Sequence, residues 1–101
     1  MSLNKETSLE ELIKRKLNVH MKISYLFLKN ESYLHSHHKQ HGLSNSTHFL
    51  LLLVSDDFLN LSLLQRHQKI NKILREEYDK LHALRIKALT CDEYKKNLIE
   101  Y

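Results

Sequence analysis

The 101-residue chain is predicted to be one α/β (α+β) domain, a three-stranded sheet packed by helices in the order α-β-β-α-β-α. Three observations carry this. Apolar residues recur at helical spacing in three stretches, each preceded by a cluster of capping residues. Between them lie stretches with alternating or continuous apolar character of strand length. The length suffices for one hydrophobic core and not for two, so residues 1–101 form a single domain.

The first helix is expected over residues 7–19. Thr7 and Glu10 have capping-box spacing, and Leu9, Leu12, Ile13 and Leu17 share a face, with Lys14, Arg15 and Lys16 mainly on the wet side. From Lys22 the period changes to two, with Ile23, Tyr25 and Phe27 alternating with Ser24, Leu26 and Leu28. A first strand over 22–31, at least partly covered on both faces, follows. Residues 32–46 keep neither period and contain the only glycine, Gly42; they read as a loop insertion of unusual length. The run THFLLLLVS predicts a second strand over 47–55, buried on both faces. After the cap-rich Ser55-Asp56-Asp57, a helical pattern extends through Tyr78. Its apolar arc contains Leu63, Ile70, Leu74 and Tyr78, with His67 near the middle and Arg66, Lys69, Lys72 and Arg75 around the other side. LHALRIKAL predicts a third strand over 82–88, and Thr90 with Glu93 forms a second capping box opening the last helix.

Composition narrows the function classes. The chain is 42% apolar and 28% charged, which fits a globular protein, and no apolar run approaches the roughly 20 residues of a membrane span. MSLNKETSLEEL contains no apolar core of a secretory signal, so a cytoplasmic location is expected. The formal net charge of +4 mildly favours polyanions. A single cysteine, Cys91, excludes an internal disulfide and every CxxC site, so any metal must rely on histidine. No set of nucleophile, base and orienter, paired carboxylates or phosphate-binding glycine loop is legible, and the chain is expected not to be an enzyme.

The segments NESYLH, STHFLLLLVSDDF, LLQRHQKINKILREEY and LHALRIKALTCDEY resemble the BolA family over roughly residues 8–98. The Arg66-His67 pair, the Val54-Ser55-Asp56 strand exit and His82-Ala83-Leu84 at the start of the third strand occur in that family's order and close to its spacing. The resemblance implies a KH-like fold with the element order already derived. It also implies a non-enzymatic role, either pairing with a monothiol glutaredoxin in iron-sulfur, redox and stress-response regulation, or DNA binding by a transcription regulator. Two departures stand out. Asn60 replaces the family's usual glycine after the strand exit, and asparagine is the residue that best tolerates a left-handed backbone in its place. HSHHKQHGLSNS replaces and lengthens the family's loop before the second strand.

By the resemblance, His82 is a ligand of a two-iron, two-sulfur cluster shared with the glutaredoxin, and His35 is the second ligand. The partner's cysteine and glutathione complete the set, and the isolated protein is expected to carry no cofactor. The ordinary reading of His82 is a polar strand-end residue. His37, His38 and His41 have no family counterpart; they read as a solvated insertion, with adventitious zinc, nickel or copper binding as the rival. His67 reads as a packed histidine or as a supporting neighbour of the cluster ligands. His48 is assigned no chemistry. For DNA, Arg66, Lys69, Lys72 and Arg75 would contact phosphates and Gln65, Gln68 or Asn71 bases, against the ordinary alternative of a solvated helix face. No membrane partner is expected, and a homodimer is left open.

Overall fold

Ser8, rather than Thr7, caps the first helix. Its Oγ accepts the Glu11 amide at 3.1 Å, and α1 runs over Leu9–His20. The computed structural model of the chain describes residues 8–31 and 48–100, so Thr7 lies outside the described residues. Ile13 and Leu17 are fully buried along one stripe of α1, as their spacing requires, and Leu9 packs partly against the same core.

β1 (Tyr25–Asn30) is shorter than expected and alternates cleanly. Leu26 and Leu28 pack against the core, while Tyr25 and Phe27 on the other face are each 42% exposed. At least partial cover on both faces was expected, and the outer face has it where Tyr94 stacks on Tyr25. β2 (His48–Val54) is the central strand, antiparallel to β1 and parallel to β3 (Ala83–Leu89). Phe49, Leu51 and Leu53 are buried beneath the helices, whereas Leu50 and Leu52 are half-buried on the reverse face. A parallel pair needs a long crossover, and the chain from Ser55 to His82, including α2 (Leu63–Ile73), provides it.

The exit from β2 is held by side chains suited to a tight turn. Buried Ser55 donates its hydroxyl to the Lys22 carbonyl at 2.7 Å and accepts the Asp57 amide at 3.0 Å. Asp57 accepts the Lys22 amide, and Asp56 accepts the Cys91 amide. Three successive residues thereby tie together the approach to β1, a 3-10 turn at Asp56–Phe58 and the start of α3 (Cys91–Glu100). Asn60 then adopts φ 66°, the left-handed conformation expected of it. Ser62 and Gln65 form a capping box that starts α2.

α2 differs from expectation in both length and rotation. It ends at Ile73, and a separate 3-10 turn covers Glu77–Lys80. Lys16 of α1 reaches Glu76 at 3.2 Å and Glu77 at 3.0 Å, drawing the latter into the protein where the helix would have continued. The buried stripe is Arg66, Ile70 and Leu74; Leu63, expected inside, is 67% exposed. Arg66 claims the inner position because its polar head finds a complete set of acceptors. Nε donates to the Leu61 carbonyl and Nη1 to the Ala88 carbonyl, each at 3.0 Å. Nη1 and Nη2 grip the two Glu93 oxygens at 2.6 and 3.2 Å, and the guanidinium lies over the Phe58 ring. Glu93 also closes the expected capping box, accepting the Thr90 amide at 2.9 Å while Thr90 Oγ1 accepts the Glu93 amide.

Two outcomes follow for stability. Asn60→Ala should cost about 1 kcal/mol in urea denaturation, while Asn60→Gly should stay within about 0.5 kcal/mol of wild type, because the site demands a left-handed backbone and no side-chain contact. The Arg66 guanidinium, helped by the Thr90 amide, lowers the Glu93 carboxyl from its ordinary 4.5 to about 2. Between those values the unfolded chain binds more protons than the folded one, so the contribution of Glu93 is complete above pH 4.5 and disappears as pH falls through about 2. The stability difference between wild type and Glu93→Gln should therefore be present at neutral pH and vanish in acid. A difference that persisted unchanged below pH 2 would contradict this assignment.

Candidate functional site: the histidine-bearing end of the sheet

The end of the sheet where residues 32–47 leave and return brings together groups far apart in sequence. The Glu31 amide donates to the His48 carbonyl at 2.7 Å, extending the β1–β2 ladder to the last described residue before that segment. On the other side of β2, the parallel register sets Ala83 opposite His48. His82, one residue earlier, consequently meets His48 edge-on, with ring centroids 4.7 Å apart and planes at 85°. His82 is exposed and His48 half-buried. Beside them, Arg85 Nη2 donates to both Glu31 oxygens at 3.1 Å, so this carboxylate is already engaged by a cation.

The sequence reading omitted His48 from the site. Its placement depends on the register between two strands separated by a long crossover, which no local pattern encodes. His35, His37, His38 and His41 lie outside the described residues. Among the described residues no group of three or more His, Cys, Asp or Glu side chains is arranged to hold a metal ion. An ion or cluster bound at His82 would therefore need donors from beyond the described residues.

His67 is not brought to His82. It lines a groove of about 490 Å³ with Leu63, Ile86, Lys87, Ala88, Leu89 and Asn97, between α2, β3 and α3. Even the nearest of these β3 residues is four positions from His82, about 13 Å at strand rise. A supporting role for His67 beside His82 is accordingly replaced by a place in this groove. Leu59, Leu63 and Leu64 are 53%, 67% and 66% exposed, and of these Leu63 lines the groove.

The residues proposed to read DNA also divide. Arg66 is withdrawn, because burial and four hydrogen bonds commit its guanidinium inside the protein. Gln65 accepts the Ser62 amide in the capping box, and Asn71 accepts the Tyr78 hydroxyl. Gln68, Lys72 and Arg75 are exposed and Lys69 is half-buried, leaving these four as the available polar face. Cys91 packs its Sγ 3.2 Å from Ser24 Oγ at the first turn of α3.

The antiparallel-then-parallel sheet and the α-β-β-α-β-α order define a mixed α+β, KH-like domain. The family model described as BolA-like protein matches residues 17–93, and the chain belongs to the BolA family. It is 36% identical to the DNA-binding transcriptional regulator BolA of Haemophilus influenzae over 89 residues, covering 87% of this chain and 82% of that protein. It is 38% identical to the UV-induced protein uvi31 of Schizosaccharomyces pombe, covering 83% of this chain and 87% of that one. Among solved structures, the BolA domain of SufE1 from Arabidopsis thaliana superposes with a TM-score of 0.73 at 34% identity, covering 88% and 99% of the two chains. No helix among the described residues is long and apolar enough to cross a membrane.

Proposed function

We propose that the protein is a non-enzymatic regulatory adaptor that pairs with a monothiol glutaredoxin through a shared two-iron, two-sulfur cluster. The observation that carries this reading is the exposed His82 at the open end of the sheet, steadied by His48 and lacking a full ligand set among the described residues. The donor chemistry fits: neutral imidazole is a good iron ligand, and its use in place of thiolate raises the cluster potential and makes ligation sensitive to protonation. In this reading His35 supplies the second ligand from this chain, and the partner's cysteine and glutathione supply the rest. The exposed Leu59, Leu63 and Leu64 add an apolar surface of the kind that protein partners cover.

A second reading, DNA binding, is favoured by the name and 36% identity of the Haemophilus influenzae relative. Gln68, Lys69, Lys72 and Arg75 would carry it, without Arg66.

Addition of a cluster-loaded monothiol glutaredoxin should change its visible circular dichroism, and His82→Ala should abolish the change. An unaltered spectrum with wild-type protein would sink the adaptor reading. For DNA, affinity should fall steeply with salt, and replacing Lys69 and Lys72 by alanine should flatten the logarithmic salt slope by about 1.8. Binding that ignored both salt and these lysines would remove the helix from the interface.

A further inference from the structure

On the reverse face of the sheet, opposite α1 and α2, only His48 enters either reading, and the rows beyond it play no part. Its side chains follow from the register. One row is Tyr25, Val54 and Leu89, the next Phe27, Leu52 and Lys87, and the third Lys29, Leu50 and Arg85. The first row is covered in part: Tyr94 of α3 stacks on Tyr25 with centroids 5.4 Å apart and Val54 is 1% exposed, while Tyr25 itself stays 42% exposed. The other two rows stay accessible. Phe27 is 42% exposed, Leu50 and Leu52 are half-buried, and Lys29 and Lys87 are exposed. Arg85 remains 68% exposed although it holds Glu31.

We propose that this face is a binding platform for single-stranded nucleic acid, with Phe27 as its stacking residue. The arrangement is an apolar strip one aromatic and two aliphatic side chains wide, with cations on both sides: Lys29 on one edge strand, Lys87 and Arg85 on the other. Adjacent strands lie about 4.8 Å apart, so the flanking cations stand roughly 10 Å apart across the strip. A base can lie on the strip while its phosphates meet the cations; stacking on an aromatic ring together with a cationic track is how single strands are held without sequence reading. A protein partner would have to desolvate three flanking cations, which is costly. A duplex keeps its base faces stacked internally and cannot offer them to a flat sheet. The site is separate from the exposed polar face of α2 and does not depend on the glutaredoxin reading.

The test uses the full chain and a fluorescein-labelled decamer of uridine, followed by fluorescence anisotropy at about 50 mM salt. Saturable binding is expected. Phe27→Ala should weaken it about tenfold and Phe27→Tyr should retain it, with far-UV circular dichroism showing that both variants fold. Combined Lys29→Ala and Lys87→Ala should reduce the logarithmic salt slope by about 1.4, at about 0.7 per phosphate contact. Combined Lys69→Ala and Lys72→Ala should weaken uridine binding less than Phe27→Ala does. Absence of binding, or binding lost with the α2 lysines and retained in Phe27→Ala, would overturn the proposal. So would sedimentation showing a dimer that Phe27→Ala dissolves while the oligonucleotide fails to bind, since the face would then be a contact between copies of this chain.

Discussion

The Arg66 guanidinium is the contact on which one whole end of the molecule depends. It sits inside α2 and reaches the Leu61 turn, the Ala88 carbonyl of β3 and the carboxylate of Glu93 in α3. Burying a cation is unfavourable unless its donors are satisfied and its charge is met. Here the fork is satisfied by two carbonyls and a bidentate carboxylate, and Glu93 serves simultaneously in the cap of α3. The helix that crosses over the sheet and the helix that ends the chain are therefore held by a single group. The same bond occupies the Ala88 carbonyl on the edge strand β3, where an unmet backbone group would invite pairing with another chain.

This arrangement explains why part of the fold could be read from the sequence and part could not. Caps are local: Thr90 with Glu93, and the tolerance of Asn60 for a left-handed backbone, follow from residues within a few positions of one another. The rotation of α2 is not local. An arginine in an amphipathic pattern is assigned to water because its charge dominates the reading, and only acceptors from β3 and α3 make the inner position favourable. With Arg66 turned inward beside Ile70 and Leu74, Leu63, expected inside, is left exposed together with Leu64. Lys16 acts similarly on the far end of that helix, engaging Glu76 and Glu77 where periodicity alone predicts an uninterrupted helix to Tyr78.

The candidate site divides along the same line. His82 was singled out by its motif, whereas His48 entered through the pairing of β2 with β3, which depends on how a long crossover closes. His67 illustrates the converse error. It adjoins Arg66 in a motif, but adjacency in a helix sends neighbouring side chains about 100° apart, and the groove it lines lies toward the other end of β3. The pair the fold brings into contact, His48 and His82, lies wholly after residues 35–41, whose own histidines are outside the described residues.

The two ends of β3 are consequently under different constraints. At the Ala88 end, the backbone is fixed by Arg66 and by the Ser55 amide, which donates to the Leu89 carbonyl. At the His82 end, the ring contact with His48 and the Arg85–Glu31 pair join side chains across the strands. Six residues separate Ala88 from His82, about 20 Å along a strand. A side-chain rearrangement at His82 can therefore occur without disturbing the buried charge that anchors α2 and α3. A small domain gains from this separation: the end anchored by Arg66 preserves the fold while His82 stays exposed at the other. The sheet connects the two ends, and its uncovered rows between them belong to neither.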